Sequence, residues 1–444
     1  MKTCLQSVYG DIYDCIDVYK QPSLSHPALR GLKIKGCEQV GFELGLCDSN
    51  SDSDRISKLI SYPNPDSNPI ELLFLLPNPN PNPIYKDLRD SNQEKYQKKK
   101  RKEKFLRPDQ KILTTLGYDV SKSKNNPVEF NFWKSKKGCP KGTVPIQRTK
   151  MMNNQKNYSR DGLSHSLEWN NGIDMKSAKR LKRVPVEKNV INIINIQFAG
   201  IHSKSGQMFS GASALINIYN PKVRGPNQYS SATIFLENGD DQIQAGWTVN
   251  PQLYGDYRTR MYASWTRDSH RSTGCYNTQC PGFVVVNNKI PLGFVFNDIS
   301  VREGKQYEEY FYMHLEPEVG WWLHVRDVFV AIGYWPISLF STMQQSATFV
   351  RYGGQVFTPS SDDRSPQMGS GGKFVNGQYD KTCYMRQVSI RRKDFEFVDV
   401  DNSYMEGTDS RCYYSGDYSF KNDQDRYSFL FGGRGGTDEH TCVY

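Results

Sequence analysis

The chain lacks any long apolar run. Its longest candidate, Ile70 to Leu76 (IELLFLL), is far shorter than the roughly 20 residues that a membrane-spanning helix requires, so no membrane span is expected. The first residues, MKTCLQSVYGDIYDC, contain no apolar signal core. No cysteines are spaced CxxC, and His26, His165, His202, His270, His314, His324 and His440 are scattered without metal-like spacing. Each histidine therefore reads as structural or exposed, and neither a metal nor another cofactor is expected. A GxSxG nucleophile motif is absent, and Gly369-Ser370-Gly371 reads as turn chemistry. Mean hydropathy is low, −0.68, with 37% hydrophobic residues, which implies that part of the chain is not packed.

The chain has 444 residues, enough for a large core and two or three units. Aromatics reach 13%, with 27 Tyr, 22 Phe and 7 Trp, and 35 Gly accompany them, a balance that favours strands and turns over helices. From about Pro185 onward, short strand-like runs alternate with Gly/Pro turns, the pattern of an all-β antiparallel sandwich or barrel. One helix is predicted there, over Pro336 to Ala347 (PISLFSTMQQSA). Between Pro63 and Pro83 the Asn-Pro dipeptide recurs, which prevents regular structure. Net charge is +10, much of it in Lys98 to Lys102 and Lys176 to Arg183. Such runs can bind nucleic acid, but no helix-turn-helix, zinc module or RNA-binding signature accompanies them. They read as solvated segments, and a nucleic-acid partner is not expected.

Ten cysteines are present, and Cys275 and Cys280 bracket a four-residue turn suited to a disulfide in an oxidising compartment. Asn157-Tyr158-Ser159 is a glycosylation sequon. Cysteine usage points to secretion while the start of the chain does not, and an annotated start downstream of the natural one would reconcile them.

Two stretches carry the chemistry. In Asp241 to Asp256 (DQIQAGWTVNPQLYGD), strand alternation puts Ile243, Ala245, Trp247 and Val249 on a core face and Gln244, Gly246 and Thr248 on the other. In Phe349 to Phe357 (FVRYGGQVF), Gln355 lies opposite Val350 and Val356, just past paired glycines. Each strand presents one amide beside glycine, as a sheet presents a side chain to a cleft. Trp247 and Tyr352 flank these positions as candidate cleft aromatics, although aromatics in a sandwich more often pack in the core.

Beyond these residue patterns, the chain resembles the plant neprosin family of glutamic peptidases. The resemblance rests on DCIDVYKQPSLSHPALRGLKIK (Asp14 to Lys35), CPKGTVPIQRT (Cys139 to Thr149), QAGWTVNPQLYGD (Gln244 to Asp256), TGCYNTQCPGF (Thr273 to Phe283), GYWPISLF (Gly333 to Phe340), GGQV (Gly353 to Val356), QMGSG (Gln367 to Gly371) and FGGRGG (Phe431 to Gly436). It implies an extracellular protein with an activation segment and a β-sandwich of curved sheets, on which two glutamates across a concave face activate water to cleave after proline. On that basis, residues 1–35 are an activation-peptide fragment, 36–126 a low-complexity insertion, 127–184 the end of the activation segment and a linker, and 185–444 the catalytic-type sandwich. Cys412 and Cys442 are the family-like C-terminal disulfide, and Cys383 is expected to be free. The family's glutamates correspond to Gln244 and Gln355. An amide donates hydrogen bonds but cannot serve as a base. Glu237, Asp240, Asp241 and Asp256 lie near in sequence, with no evident route by parity or turn placement to replace Gln244. The expectation is an impaired peptidase that keeps a cleft for proline-containing peptides, with a non-catalytic binder of peptide or cell-wall polysaccharide as the alternative.

Overall fold

The computed structural model of the protein describes residues 4–32, 132–135, 137–148, 196–326, 330–358, 364–401, 405–410 and 412–436. The Asn-Pro region, both basic runs, the sequon, Cys37, Cys47 and Cys442 lie outside the described residues. The strands, in chain order, are β1 (Cys4–Gln6), β2 (Ile12–Asp17), β3 (Thr143–Gln147), β4 (Ile196–Ser203), β5 (Phe209–Asn217), β6 (Tyr229–Asn238), β7 (Asp241–Val249), β8 (Arg260–Thr266), β9 (Cys275–Tyr276) and β10 (Val284–Val285). They continue as β11 (Glu308–Glu316), β12 (Gly320–Val325), β13 (Ala331–Pro336), β14 (Phe349–Phe357), β15 (Cys383–Arg392), β16 (Phe397–Asp399), β17 (Met405–Thr408), β18 (Tyr414–Phe420) and β19 (Tyr427–Gly432).

These strands form the expected all-β antiparallel sandwich. A seven-stranded sheet runs β17-β4-β14-β6-β7-β8-β9, and a nine-stranded sheet runs β10-β13-β12-β11-β5-β15-β19-β18, with β16 paired to β15. Between them lies one core. Ala232, Ile234 and Leu236 of β6, Ile243, Ala245 and Trp247 of β7, and Val350, Tyr352 and Val356 of β14 supply one side. Ala212, Ala214 and Ile216 of β5, with Met385 and Ile390 of β15, supply the other. The alternation read from β7 is therefore correct about which face meets the core. Polar ties cross the core as well: Trp247 Nε1 donates to Asn217 O at 2.9 Å, and the Tyr352 hydroxyl to Ser389 O at 2.8 Å. Burying a tryptophan of this kind removes about 200 Å² from water, worth on the order of 5 kcal/mol as an upper bound.

The helix predicted over Pro336 to Ala347 does not form. Residues 337–339 make a single 3₁₀ turn, and turns follow it up to β14. The physical reason lies outside the segment. The fully buried Asp241 carboxylate accepts the backbone N–H groups of Ser341 at 2.7 Å, Thr342, and Met343 at 2.9 Å, with the hydroxyls of Ser341 and Thr342. A charged acceptor that takes successive amides outcompetes the first helical turn.

A small third sheet, β1-β2-β3, joins the two ends of the undescribed 33–131 stretch. Strand β2 pairs with β3 from Tyr13↔Gln147 to Asp17↔Thr143, and a Cys15–Cys139 disulfide fastens the same pair. This bridge was not foreseen, because its cysteines are 124 residues apart in sequence. The unit packs on the sandwich. Gln21 exchanges hydrogen bonds with the backbone of Val285 at 2.8 and 3.1 Å, Trp133 Nε1 donates to Lys289 O at 2.7 Å, and Asp11 forms a two-pronged ion pair with buried Arg260.

Candidate active site

The outward face of the seven-stranded sheet is built in rows by strand register. One row reads Arg351 (β14), Phe235 (β6), Gln244 (β7) and Ser264 (β8). The next reads Gly353, Thr233, Gly246 and Tyr262, and Gly200 of β4 extends it. A third reads Gln355, Ser231, Thr248 and Arg260. The glycines of this row are kept for a steric reason. A Cβ on Gly246 would lie 2.0 Å from Ala232 O, and one on Gly353 would lie 2.3 Å from Ala199 O. The two amide rows therefore stand on either side of a row in which Gly200, Gly353 and Gly246 lack side chains and Thr233 and Tyr262 carry them.

Gln244 and Gln355 share this face, as the sequence implied, and both are 7% exposed. They sit two strands apart and four residues out of register, and each bonds to a different tyrosine. The Tyr262 hydroxyl donates to Gln244 Oε1 at 3.2 Å, and Gln355 Nε2 donates to the Tyr229 hydroxyl at 2.7 Å. Burial pushes the Tyr229 phenol up to about 12 and the Tyr262 phenol higher still, so both remain neutral.

A cleft of about 790 Å³ opens on this face, with Phe235, Glu237, Gln242, Phe349, Arg351 and Gln355 among its lining residues. Here the sequence reading needs two corrections. Trp247 and Tyr352 do not line the cleft, since both are fully buried between the sheets, on the opposite parity to Gln244 and Gln355. Glu237, set aside from sequence, does reach this face. Its own strand, β6, places it one strand over and two residues along from Gln244, because Gln244 pairs with Phe235. Gln242 Nε2 donates to its carboxylate at 3.0 Å, and burial raises the Glu237 carboxyl to about 7 against the opposing pull of Arg351.

Arg351 is the residue that sequence reasoning missed. Its guanidinium lies 4.1 Å from the ring centre of Phe235 and 5.1 Å from that of Phe198, and Nη2 donates to Gln355 Oε1 at 3.4 Å. The signal was available: Arg351 and Gln355 are four apart on one strand, and so on one face.

Cys275 and Cys280 form the expected disulfide, with Cα atoms 5.8 Å apart. Cys412 is also disulfide-bonded, whereas Cys442 lies outside the described residues. Cys383 is a free, buried thiol. His314 and His324, read from sequence as unrelated, meet across β11 and β12 with their Nε2 atoms 3.2 Å apart in a buried aromatic setting. Among the described residues no group of three His, Cys, Asp or Glu side chains could hold a metal ion.

Among solved structures, the chain is similar to scytalido-glutamic peptidase bound to a peptide-based transition state analog. Identity is 13% and the TM-score 0.28, covering 54% of this chain and 98% of that one. It is also similar to SCP-B, a member of the Eqolisin family of peptidases in complex with the tripeptide Ala-Ile-His, at 12% identity and a TM-score of 0.27, with the same coverage. At such TM-scores neither likeness bears on the site. Residues 226–434, which hold both Gln244 and Gln355, match the family model described as Neprosin.

Proposed function

We propose that this chain is a glutamic-peptidase homologue whose cleft binds extended, proline-containing peptides and hydrolyses them weakly or not at all. One observation carries the reading: the two positions that correspond to the family's glutamates hold amides, each seated against a neutral tyrosine hydroxyl. Hydrolysis by a carboxylate pair needs one group to take a proton from water and another to protonate or polarise the carbonyl. A glutamine can do part of the second task and none of the first. Loss of the general base alone lowers rates by about 10²–10⁴. Glu237 shares the face, but it stands on the far side of the Gln244 row from Gln355 and is held by Gln242.

The test incubates the full chain with a proline-containing peptide at acid pH and follows cleavage by mass spectrometry, with binding followed by fluorescence anisotropy. Binding without appreciable turnover is expected. Robust cleavage would overturn the impaired reading, and absence of binding would overturn the peptide cleft itself. Joint Gln244→Glu and Gln355→Glu replacement is expected to raise turnover.

A further inference from the structure

We propose that Arg351 is a carboxylate-binding subsite, and that the cleft takes peptides which place a carboxylate against its guanidinium. The inference rests on the peptide-cleft reading above and names the chemistry that the cleft selects.

Arg351 presents five N–H donors in a planar fork. Nη2 reaches the Gln355 carbonyl oxygen, and Nε is shut off from solvent with no hydrogen-bond partner. Glu237 interacts with it electrostatically, but no carboxylate among the described residues approaches it within ion-pair distance. The Phe235 and Phe198 rings hold the guanidinium in place and supply no acceptor in its plane. A cation so placed is under-satisfied, and burial alone pulls its affinity for a proton down. What satisfies a fixed, half-desolvated fork is a planar anion with two oxygens, and a carboxylate fits it in two-pronged fashion.

The surroundings favour such a ligand. Gln355 and Gln242 are neutral, and Tyr229 and Tyr262 keep their protons. The groups facing Glu237 are Arg351 from β14, Gln242 from β7 and Asp240 from the β6–β7 turn, while Arg267 lines the same cleft. With the Glu237 carboxyl raised to about 7, it is protonated at pH 5 and leaves the Arg351 charge uncompensated. Above pH 7 it ionises and competes with the ligand. Carboxylate binding is therefore strongest on the acid side of 7, down to the point where the ligand itself protonates.

Two sources could bring the carboxylate, the C-terminus of a peptide or an acidic side chain within it. The experiment measures anisotropy at pH 5 for one labelled proline-containing peptide in three forms: free acid, C-terminal amide, and amide carrying an internal Glu. Wild-type protein should bind one of the carboxylate forms at least tenfold more tightly than the plain amide, and which form wins identifies the source. Arg351→Gln should erase the difference between the carboxylate forms and the plain amide, and Arg351→Lys should restore only part of it. Glu237→Gln should keep the preference at pH 8, where wild-type protein loses it. Equal binding of all three forms overturns the subsite and leaves the peptide cleft standing, and failure of all three to bind overturns both. Preference for an oligogalacturonide over every peptide form would assign the cleft to an acidic glycan and refute the proposal. A melting curve for each variant separates lost binding from lost folding.

Discussion

Replacing Gln355 with glutamate should stabilise the protein without making it an efficient peptidase. The replacement puts a carboxylate oxygen where Gln355 Oε1 now lies, 3.4 Å from Arg351 Nη2. At about 4 Å and an effective dielectric of about 20, the attraction is roughly 4 kcal/mol. Desolvating the new carboxylate takes back much of it, leaving a net gain of about 1–2 kcal/mol. No hydrogen bond is lost, because the Tyr229 hydroxyl, which now accepts from Gln355 Nε2 at 2.7 Å, can turn and donate to the second carboxylate oxygen. A gain of that size raises the melting temperature by roughly 2–8 °C. The sign with pH is fixed. The arginine holds the new carboxyl below its ordinary value of about 4.3, so the gain is present above that value and is lost as pH falls through the folded-state value. Calorimetry at pH 6, where Glu237 is largely protonated, and again near pH 2 measures it. Destabilisation at pH 6, or an equal gain at both pH values, would refute the placement of Arg351. The same pairing predicts that Gln244→Glu with Gln355→Glu gains more turnover when Arg351→Gln is added, since the base is then released from its cation.

Three further outcomes follow from other parts of the fold. His314, buried against His324, titrates well below the ordinary histidine value, and burial lowers His270 to about 3, so below pH 6.5 the unfolded chain takes up protons that these side chains refuse and stability is lost. Glu237 and Glu309, raised to about 7, act oppositely between pH 7 and about 4.5, so His314→Gln should gain on wild type in urea midpoint as pH falls below 6.5, and a pH-independent difference would contradict this. Gly246→Ala, whose methyl group would meet Ala232 O at 2.0 Å, should cost about 3 kcal/mol or more and abolish peptide binding. Gly255→Ala, with open space but a φ of +75°, should cost only about 1 kcal/mol in the same melting assay. Removing the Cys15–Cys139 bridge by double serine replacement should cost up to about 5 kcal/mol by loop entropy, read as early proteolysis of the 4–32 segment; unchanged protection would show that docking contacts alone hold it.

Sequence alone determined the fold class and the core face of β7, because each is a local property. Strand alternation fixes which side of Trp247 and Gln244 faces the core, and a motif fixes where a glutamate would stand. Tertiary structure decided what one strand cannot show. Register across β14, β6 and β7 set Arg351 in one row with Gln244 and Glu237 one strand over from it, whereas parity along each strand already turned Trp247 and Tyr352 toward the core. Asp241 removed the helix that its distant target would otherwise have begun, by taking the amides of Ser341, Thr342 and Met343. The physical reason is common to all three. The charge state and partners of a side chain depend on neighbours that antiparallel pairing supplies from remote points in the chain, and no periodicity within a single strand encodes which strand will lie beside it.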